Sequence, residues 1–476
     1  MSNMKWRWGG KCARKAGAAS AMVIVFFFAL SASAASKKYL GDPTGNSRLS
    51  DKPTKFLDVF NKGVPERPPL LFEFGDPFLH QGNLNPGVEL PSGWVVQPRL
   101  WIFGTLRSAT QSFDNGVRPG TTEWANRFDL YANLQLSGTE KAIIGFRPVD
   151  RNRFPNFTRY GFSPENKFTD ETNLDIRTLF FEGDFGSIFP KLDPKGMKPI
   201  DYGFSVGRQQ LNFQSGLMIN DIVDSVGIVR NNLHLPGVSS LRVAGIYGWG
   251  ELDTNRPDPD AQLFGLFIAA DMPKVRWDFD GAYVKDDGQG NDGSYHYGVS
   301  AETHVGLIGV TFRVNGSKAQ DVETSGVGSG VLLSVEINFT PYGSDDNVYI
   351  NPFWAIDNFT QISREPVVGA PLATLGILFA SASLGNYLSE LSGAANEVAG
   401  AAIGYQAFWD AHSKNLTLEM AGRYDTSNDS NSDIGIGFQY QQRFGRRIQW
   451  QVDGFYAFQE NRDNGFGLRT EILYQF

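Results

Sequence analysis

Three features of the sequence predict an all-β protein, a transmembrane antiparallel up-and-down β-barrel of about 18 strands. Many segments of about ten residues alternate between polar and apolar side chains, aromatic residues recur near the ends of these segments, and the chain begins with a secretory signal. Alternation with a period of two residues gives a strand one apolar and one polar face. Repeated segments of this kind, separated by turn residues, are typical of a β-barrel that crosses a membrane.

The N-terminal segment has the three parts of a secretory signal. Five cationic residues precede an apolar run from Ala21 to Leu30, and the small residues Ala32, Ser33 and Ala34 follow it. We therefore predict that residues 1–34 are a signal peptide. The apolar run is too short for a membrane-spanning helix, which needs about 20 residues.

Composition excludes several classes of function. Five of the 43 Lys and Arg residues and none of the 51 Asp and Glu residues lie in the signal, so the rest of the chain carries a formal charge near −13. This charge argues against nucleic-acid binding. The single cysteine, Cys12, lies in the signal, which excludes disulfides and Cys-ligated metals from the remainder. We expect no cofactor, no metal site and no catalytic residues.

The segment 35–94 is a Pro-rich extension that does not fit a barrel wall. It contains eight of the chain's 24 prolines, and proline cannot donate a hydrogen bond to a central strand. The segment is predicted to be a periplasmic tail, a plug inside the barrel or a docking arm for a periplasmic partner. Residues 95–476 are predicted to form the barrel itself.

The alternating segments define the predicted strands. In 127–136, for example, the even-numbered residues are apolar and the odd-numbered ones polar. We place strands at 97–111, 124–136, 141–147, 173–184, 202–211, 221–231, 240–249, 261–270, 275–285, 295–303, 305–314, 331–340, 347–361, 400–410, 415–425, 433–443, 447–458 and 464–476. Counts of 16 or 20 strands stay open. With a periplasmic C-terminus, short connectors fall mostly on the periplasmic side and long ones outside.

Two predicted extracellular loops are unusually long, 148–172 and 366–400. The second is rich in Ala, Gly and Ser and contains only two charged residues, Glu390 and Glu397. Long loops in compact domains are often functional. The small apolar residues of 366–400 suit an infolded constriction or a short helix near 384–398. We consider three possibilities for this segment: a mobile exterior loop, an infolded gate or an oligomer contact.

Placing the apolar face of each strand toward lipid assigns the polar face to the barrel interior, the lumen. The lumen-facing and substrate-path candidates comprise ten arginines and ten acids: Arg99, Arg107, Arg127, Arg177, Arg242, Arg276, Arg313, Arg423, Arg443, Arg469, Asp129, Asp175, Asp278, Asp280, Glu302, Glu336, Asp357, Glu419, Asp453 and Glu471. Arginine's planar fork suits paired carboxylates. The set predicts either a ladder of ion pairs that stiffens the wall, or separate basic and acidic rows that orient a solute.

The last strand resembles the assembly signal of Gram-negative outer-membrane β-barrel porins, because Ile472, Tyr474 and Phe476 repeat at two-residue spacing up to the C-terminus. Residues 204–211, with Gly216 and Asp224, are similar to the Gly-Arg-Gln region of the alginate-export-like porins, a family of eighteen-stranded barrels. That resemblance implies an export channel for a polyanion, whereas the balanced lumen favours neutral, zwitterionic or mixed solutes. Arg208 falls in step with the lipid-facing residues, so either a bulge turns it inward, which we expect, or the register assigned to this strand is wrong.

These observations predict a channel in the cell outer membrane, through which small or polymeric hydrophilic solutes diffuse or are exported along a charge-balanced lumen. The alternative is a barrel scaffold whose lumen holds a periplasmic partner, such as an electron-transfer or secretion component. The resemblance implies a lipid bilayer and lipopolysaccharide as surroundings and the barrel-assembly machinery as a partner. A periplasmic partner or a homo-oligomer stays open.

Overall fold

A computed structural model describes residues 69–79, 85–116, 120–150, 157–252, 261–285, 293–320, 327–362, 370–387, 389–427 and 432–476. The predicted signal peptide and most of the Pro-rich extension lie outside these residues. The chain divides into two compact units. In the unit formed by 1–66 and 341–345, the described residues Pro341 to Asp345 form a turn in which the Ser344 amide donates to the Pro341 carbonyl (3.2 Å). The other unit, 67–340 with 346–476, contains every strand described below.

The second unit is a closed antiparallel barrel of 18 strands, as the alternation predicts. Each strand pairs with its neighbours in sequence, and the last strand pairs with the first. The barrel strands are β4 (Arg99–Asp114), β5 (Thr121–Gln135), β6 (Lys141–Phe146), β9 (Ile176–Asp184), β10 (Gly203–Phe213), β11 (Ile219–Leu235), β12 (Val238–Gly250), β13 (Gln262–Asp271), β14 (Val275–Lys285), β15 (Ser294–Val305), β16 (Ile308–Ala319), β17 (Gly330–Phe339), β18 (Asn347–Phe359), β19 (Ala395–Trp409), β20 (Lys414–Asp425), β21 (Asp433–Phe444), β22 (Ile448–Gln459) and β23 (Gly465–Gln475).

Five short strands lie outside this count: β1 (Phe72–Phe74), β2 (Val88–Glu89), β3 (Val95–Val96), β7 (Arg159–Ser163) and β8 (Lys167–Thr169). The β7–β8 hairpin pairs with the start of β5. Strand β1 pairs with β4 at Leu100 to Ile102. The hairpin of β2 and β3 pairs Val88 with Val96. In the part of the chain that the structure describes, helix is confined to short turns, of which the one at Phe185–Ile188 is α-helical. Among the described residues, no helix is long and apolar enough to cross a membrane.

Every predicted strand is present, but several boundaries were wrong. Strand β19 begins at Ala395 rather than at 400, because its Ala- and Gly-rich start pairs with both β18 and β20. Strand β16 begins at Ile308 rather than at 305, because Gly306 turns the chain there with a φ of 66°. Cross-strand hydrogen bonds override the weak local preferences of these residues.

Two predicted lumen residues lie at strand ends. Strand β9 begins at Ile176, because the Asn173 side chain accepts from the Asp175 amide (2.9 Å) and holds a turn. Asp175 is therefore an exposed loop residue. Asp357 is exposed at an irregularity in the pairing of β18 with β19, where its φ is 55°.

The barrel closes tightly at its C-terminus. The Gly104 amide donates to the Phe476 carbonyl (3.0 Å), and the Phe476 amide donates to Gly104 (3.1 Å). The rings of Phe128 and Phe476 stack with centroids 5.7 Å apart. A Cβ at position 104 would lie 2.8 Å from the Phe476 ring, so only glycine permits this approach. Ile472, Tyr474 and Phe476 share the outer face, and their role as an assembly signal stays a prediction.

The two faces of the wall have opposite character. On the outer face, Trp354 and Ile472 are 51% and 55% exposed. On the inner face, the charged side chains of Glu419 and Arg469 are only 4% and 2% exposed. A water-soluble protein buries its apolar side chains and exposes its charges. The inverted arrangement is that of a barrel whose outer face lies against lipid.

Arg208 does not turn inward, so the expected bulge was wrong. The pairing of β10 with β11 is continuous through Arg208 and Asp224. The Arg208 guanidinium binds the Asp224 carboxylate through two contacts of 2.8 and 2.9 Å and the Glu251 carboxylate at 3.1 Å. Arg208 therefore remains in step with the exposed Val206, because neighbouring acids neutralise its charge on the outer face.

Candidate functional site

The long loop between β18 and β19 enters the barrel. We call its described part, 370–387 with 389–394, the inner loop. Its leucines and Phe379 are buried and pack on the inner face of the wall. Phe379 meets Phe353 of β18 edge to face, with centroids 5.5 Å apart. At Gly437 of β21, a Cβ would lie 2.7 Å from Leu378, so a glycine there allows the loop to approach the wall.

Of the two alternatives for 384–398, a constriction or a short helix, the helix was wrong. Within the described part of that range, 384–387 and 389–394 have no helical turn, and β19 begins at Ala395. The inner loop contains one 3-10 turn, Pro371–Thr374. In the remaining chain, backbone groups bind side chains of the wall as well as each other, as where the Leu391 amide donates to the Leu378 carbonyl (2.9 Å).

Two buried glutamates hold the inner loop by its backbone. The Glu419 carboxylate of β20 accepts from the amides of Ile377 and Leu378 (2.8 Å each) and from the Tyr349 hydroxyl. The Glu123 carboxylate of β5 accepts from the amide of Asn386 (2.5 Å) and from its side chain (2.7 Å). Hydrogen bonds to a carboxylate are stronger than neutral ones. The loop is thus fastened at two separate points of the wall.

Several wall residues complete the attachment by donating to loop carbonyl oxygens. Arg107 donates to Ala382 (3.0 Å), and Arg127 donates to Ser383 (3.2 Å). Asn351 of β18 donates to Leu375 (2.6 Å). The inner loop therefore contacts β4 and β5 as well as β18 and β20, which places it across the lumen.

A second segment, the inner turn 214–218, also points inward. Gln214, Ser215 and Gly216 have φ values of 54°, 53° and 85°, so the chain reverses sharply. Gln214 donates to Asp280 of β14 (2.7 Å), and Ser215 accepts from Arg313 of β16 (2.8 Å). Because left-handed conformations of non-glycine residues are strained, these contacts are needed to hold the turn.

A network of ion pairs covers the wall where β22 and β23 meet β4. Arg107 binds Glu471 (3.0 Å), and Arg469 binds both Asp453 (2.9 Å) and Glu471. The pairing of Arg107 with Glu471 crosses the closure of the barrel. Each charge in this group has a partner of opposite sign.

The network continues onto β5. Asp129 accepts from Arg127 and from Arg147, both at 2.8 Å. Arg147 also reaches Asp150 at 3.2 Å. Arg147 was not among the predicted residues, although it follows the inward positions of β6 at two-residue spacing.

Some of the other predicted lumen residues form contacts, and others are exposed. Arg313 pairs with Glu336, Arg276 with Asp278 (3.3 Å), and Arg423 donates to the Ser392 carbonyl (2.8 Å). Arg177 is buried at an irregularity where β9 pairs with β6. Arg99, at the other end of the wall, donates to the Ser137 carbonyl (3.2 Å). Arg242, Glu302 and Arg443 are exposed.

A cavity of about 260 Å³ lies between the inner loop and the wall of β4, β21, β22 and β23. The loop contributes Ile377, Leu378, Ala380, Ser381, Ala382, Tyr387 and Glu390. The wall contributes Arg107, Asp453 and Arg469. This cavity, with the ion-pair network beside it, is the candidate site.

Sequence reasoning missed Glu123, Tyr349 and Tyr387. Glu123 is in step with Arg127 and Asp129, but the predicted strand began one residue later, at 124. Tyr349 and Tyr387 carry no signal in the sequence, because their roles depend on the position of the inner loop. In the described part of the chain, no three His, Cys, Asp or Glu side chains are placed to hold a metal ion.

No protein-family model matches the chain, and no curated protein matches it significantly. Solved structures do match its fold. A BenF-like porin from Pseudomonas fluorescens Pf-5 has a TM-score of 0.52 at 10% identity, with 79% of this chain and 98% of that chain covered. The outer membrane protein OpdK from Pseudomonas aeruginosa has a TM-score of 0.51 at 9% identity, with the same coverage. OccK2 (OpdF) from the same organism has a TM-score of 0.50 at 10% identity, with 79% and 97% covered. The chain therefore has the fold of the outer-membrane porins, as the C-terminal pattern predicts.

Proposed function

We propose that this protein is an outer-membrane channel for small hydrophilic solutes, with a path that runs between the inner loop and the wall of β4 and β21–β23. One observation carries the proposal: the lining of the cavity at this position includes four charged and two amide side chains, whereas the opposite wall is packed with apolar ones. Val223, Leu263 and Val284 are completely buried on the inner side of β11, β13 and β14. A polar lining keeps a passage wet, and an apolar core closes it.

The inner loop also favours a channel over a scaffold that holds a protein partner in its lumen. It contacts β4, β5 and β18–β20, and the inner turn reaches β14 and β16. A protein partner inside the barrel would have to displace both segments. The same obstruction argues against a polymeric solute. OpdK, one of the structural neighbours, was solved with vanillate, a small molecule, and we extend a small-solute role to this chain by proposal.

The test of a channel is the current carried by the purified mature chain in a planar bilayer. We expect discrete openings of small conductance with low ion selectivity, because paired charges line the path. The comparison is a chain lacking residues 35–94. Openings seen only in this shorter chain would identify the extension as a plug. If neither chain carries current, the channel proposal is wrong.

Because of Glu390, we expect the ion selectivity of the channel to depend on pH. Burial raises the pKa of its carboxyl to about 8; the Arg462 guanidinium lowers this pKa and the Asp433 carboxylate raises it by smaller amounts. The group is neutral well below pH 8 and negative above it. We expect the reversal potential in a salt gradient to shift toward cation selectivity as the pH rises from 6 to 9. Glu390→Gln removes the ionisable group and should flatten this profile. An equal shift in both proteins would assign the effect to another group.

A further inference from the structure

One turn of the barrel is much longer than the others at the same end. Residues 185–202 join β9 to β10, whereas the other turns between barrel strands at this end have two to seven residues. The short turns of an outer-membrane barrel lie on the periplasmic side. Apolar side chains of the long turn are exposed: Leu192 by 50% and Met197 by 80%, together with the rings of Phe185 and Phe189, whose centroids are 4.9 Å apart. Exposed apolar surface of this extent indicates an interaction site.

The hairpin of β2 and β3 packs against this turn. The Lys191 amide donates to the Ser92 carbonyl (3.3 Å), and the Lys191 ammonium group binds the Glu89 carboxylate (3.0 Å). The hairpin and the long turn therefore form one surface. We call residues 88–96 and 185–202 together the periplasmic patch.

Both parts of the patch are attached to Glu140, which is buried in the turn between β5 and β6. The Glu140 carboxylate accepts from the Trp94 indole of the hairpin (3.2 Å). It also accepts from the amide of Asp184, directly before the long turn (3.1 Å). The patch is thus held against the end of the wall while Val88, which is 68% exposed, and Val95 face outward from it.

The patch continues the lipid-facing surface of the barrel. On the outer face, Phe204 is in step with the exposed Val206, and its ring lies 5.8 Å from that of Phe181. Gly183 follows Phe181 at two-residue spacing, and a Cβ built on it would lie 3.5 Å from the Cδ1 atom of Ile188. Ile188 belongs to the patch, so this part of it lies on the side of the barrel that faces lipid.

An aromatic and a basic side chain lie where the lipid-facing surface meets the patch. Tyr202 precedes Phe204 by two residues and is exposed, and the Arg230 guanidinium lies 4.9 Å from the centre of the Tyr202 ring. Arg230 also donates to the Asp201 carbonyl (2.7 Å). Aromatic and basic residues are typical of the boundary between the hydrocarbon core and the headgroups. The patch therefore begins at the level of the phospholipid headgroups.

The charges of the patch do not select one kind of headgroup. It contains three lysines and three acids: Lys191, Lys195, Lys198, Glu89, Asp193 and Asp201. With no net charge, the patch gains little from an anionic surface. Its affinity for a bilayer has to come from apolar side chains that leave water.

We propose that the periplasmic patch is an interfacial membrane anchor, which lies in the headgroup region of the periplasmic leaflet and inserts apolar side chains between the phospholipids. Phe185, Phe189, Leu192 and Met197 then contact the acyl chains. The lysines extend along the apolar surface and keep their ammonium groups in water. The anchor depends on the outer-membrane location of the barrel and not on the proposed channel function.

The test uses spin labels on single cysteines, because the only cysteine, Cys12, lies in the predicted signal peptide. Met197→Cys and the control Ala411→Cys are labelled in the purified mature chain and reconstituted into phosphatidylcholine vesicles. Ala411 is exposed in a short turn at the same end, between β19 and β20. Collisions of the label with oxygen, which concentrates among acyl chains, and with a water-soluble nickel chelate report its depth. We expect the ratio of oxygen to nickel collisions to be several-fold higher for Met197→Cys.

Equal ratios for the two labels, with free access of the nickel chelate to both, would overturn the anchor and leave the apolar side chains to a periplasmic protein. Vesicles that also contain phosphatidylglycerol should give the same depths, because the patch has no net charge. Insertion only in the presence of phosphatidylglycerol would assign the contact to the lysines and reject apolar insertion. Neither label lies beside the proposed solute path, so the result does not depend on whether the barrel conducts.

Discussion

Removing the inner loop is expected to increase the single-channel conductance several-fold. Phe359 and Ala395 face each other in the pairing of β18 with β19, so a four-residue Gly-Ser turn can join them in place of 360–394. The loop crosses the lumen between β4 and β20, and its removal widens the path for ions. The measurement is the conductance in a planar bilayer, compared with that of the unaltered mature chain.

The matched control replaces 460–464, between β22 and β23, by the same turn. This segment lies at the rim, where Arg462 binds Asp433 (3.1 Å), and its replacement should leave the conductance unchanged. Both proteins must show the gel migration of a folded barrel, because the deletion uncovers Phe353 and Leu332. A folded deletion variant with the conductance of the unaltered chain would show that the inner loop does not narrow the path.

Weakening the Glu419 attachment is expected to have the second largest effect. Glu419→Gln leaves one acceptor oxygen where two amides and a hydroxyl now donate, and it turns an NH₂ group toward donors. Leaving a buried donor unpaired costs about 2 kcal/mol, which corresponds to a roughly thirtyfold larger population of the released loop. We expect frequent transitions to a higher conductance level in single-channel records.

Glu302→Gln provides the comparison for this experiment. It makes the same chemical change on the inner face of β15, at an exposed position. It should leave the current levels and their lifetimes unaltered. If Glu419→Gln behaves in the same way, the two amide contacts do not hold the loop, and the Glu123 attachment becomes the one to test.

The lumen charges show which features of the site can be predicted from the sequence and which cannot. The alternation predicts that Arg107, Asp453 and Glu471 lie on the inner face of their own strands, and in the structure these side chains belong to one ion-pair network. Their pairing could not be predicted, because Arg107 and Glu471 are 364 residues apart and meet only where the barrel closes. For Arg208, the prediction from the sequence was wrong. Its charge suggested an inward turn, but Asp224 on the next strand neutralises it without one.

The sequence by itself determined the class of fold and the two faces of the wall, because the residues of a strand point alternately to its two faces. It predicted about 18 strands, with 16 or 20 left open. The position of 370–394 was decided by the tertiary structure alone. This segment has no regular period, and its leucines could equally cover an exterior surface. Only the closed wall brings Glu123 and Glu419 to two separate points of the loop, where they bind the backbone amides of Asn386 and of Ile377 and Leu378. The narrow path and its cavity depend on that arrangement.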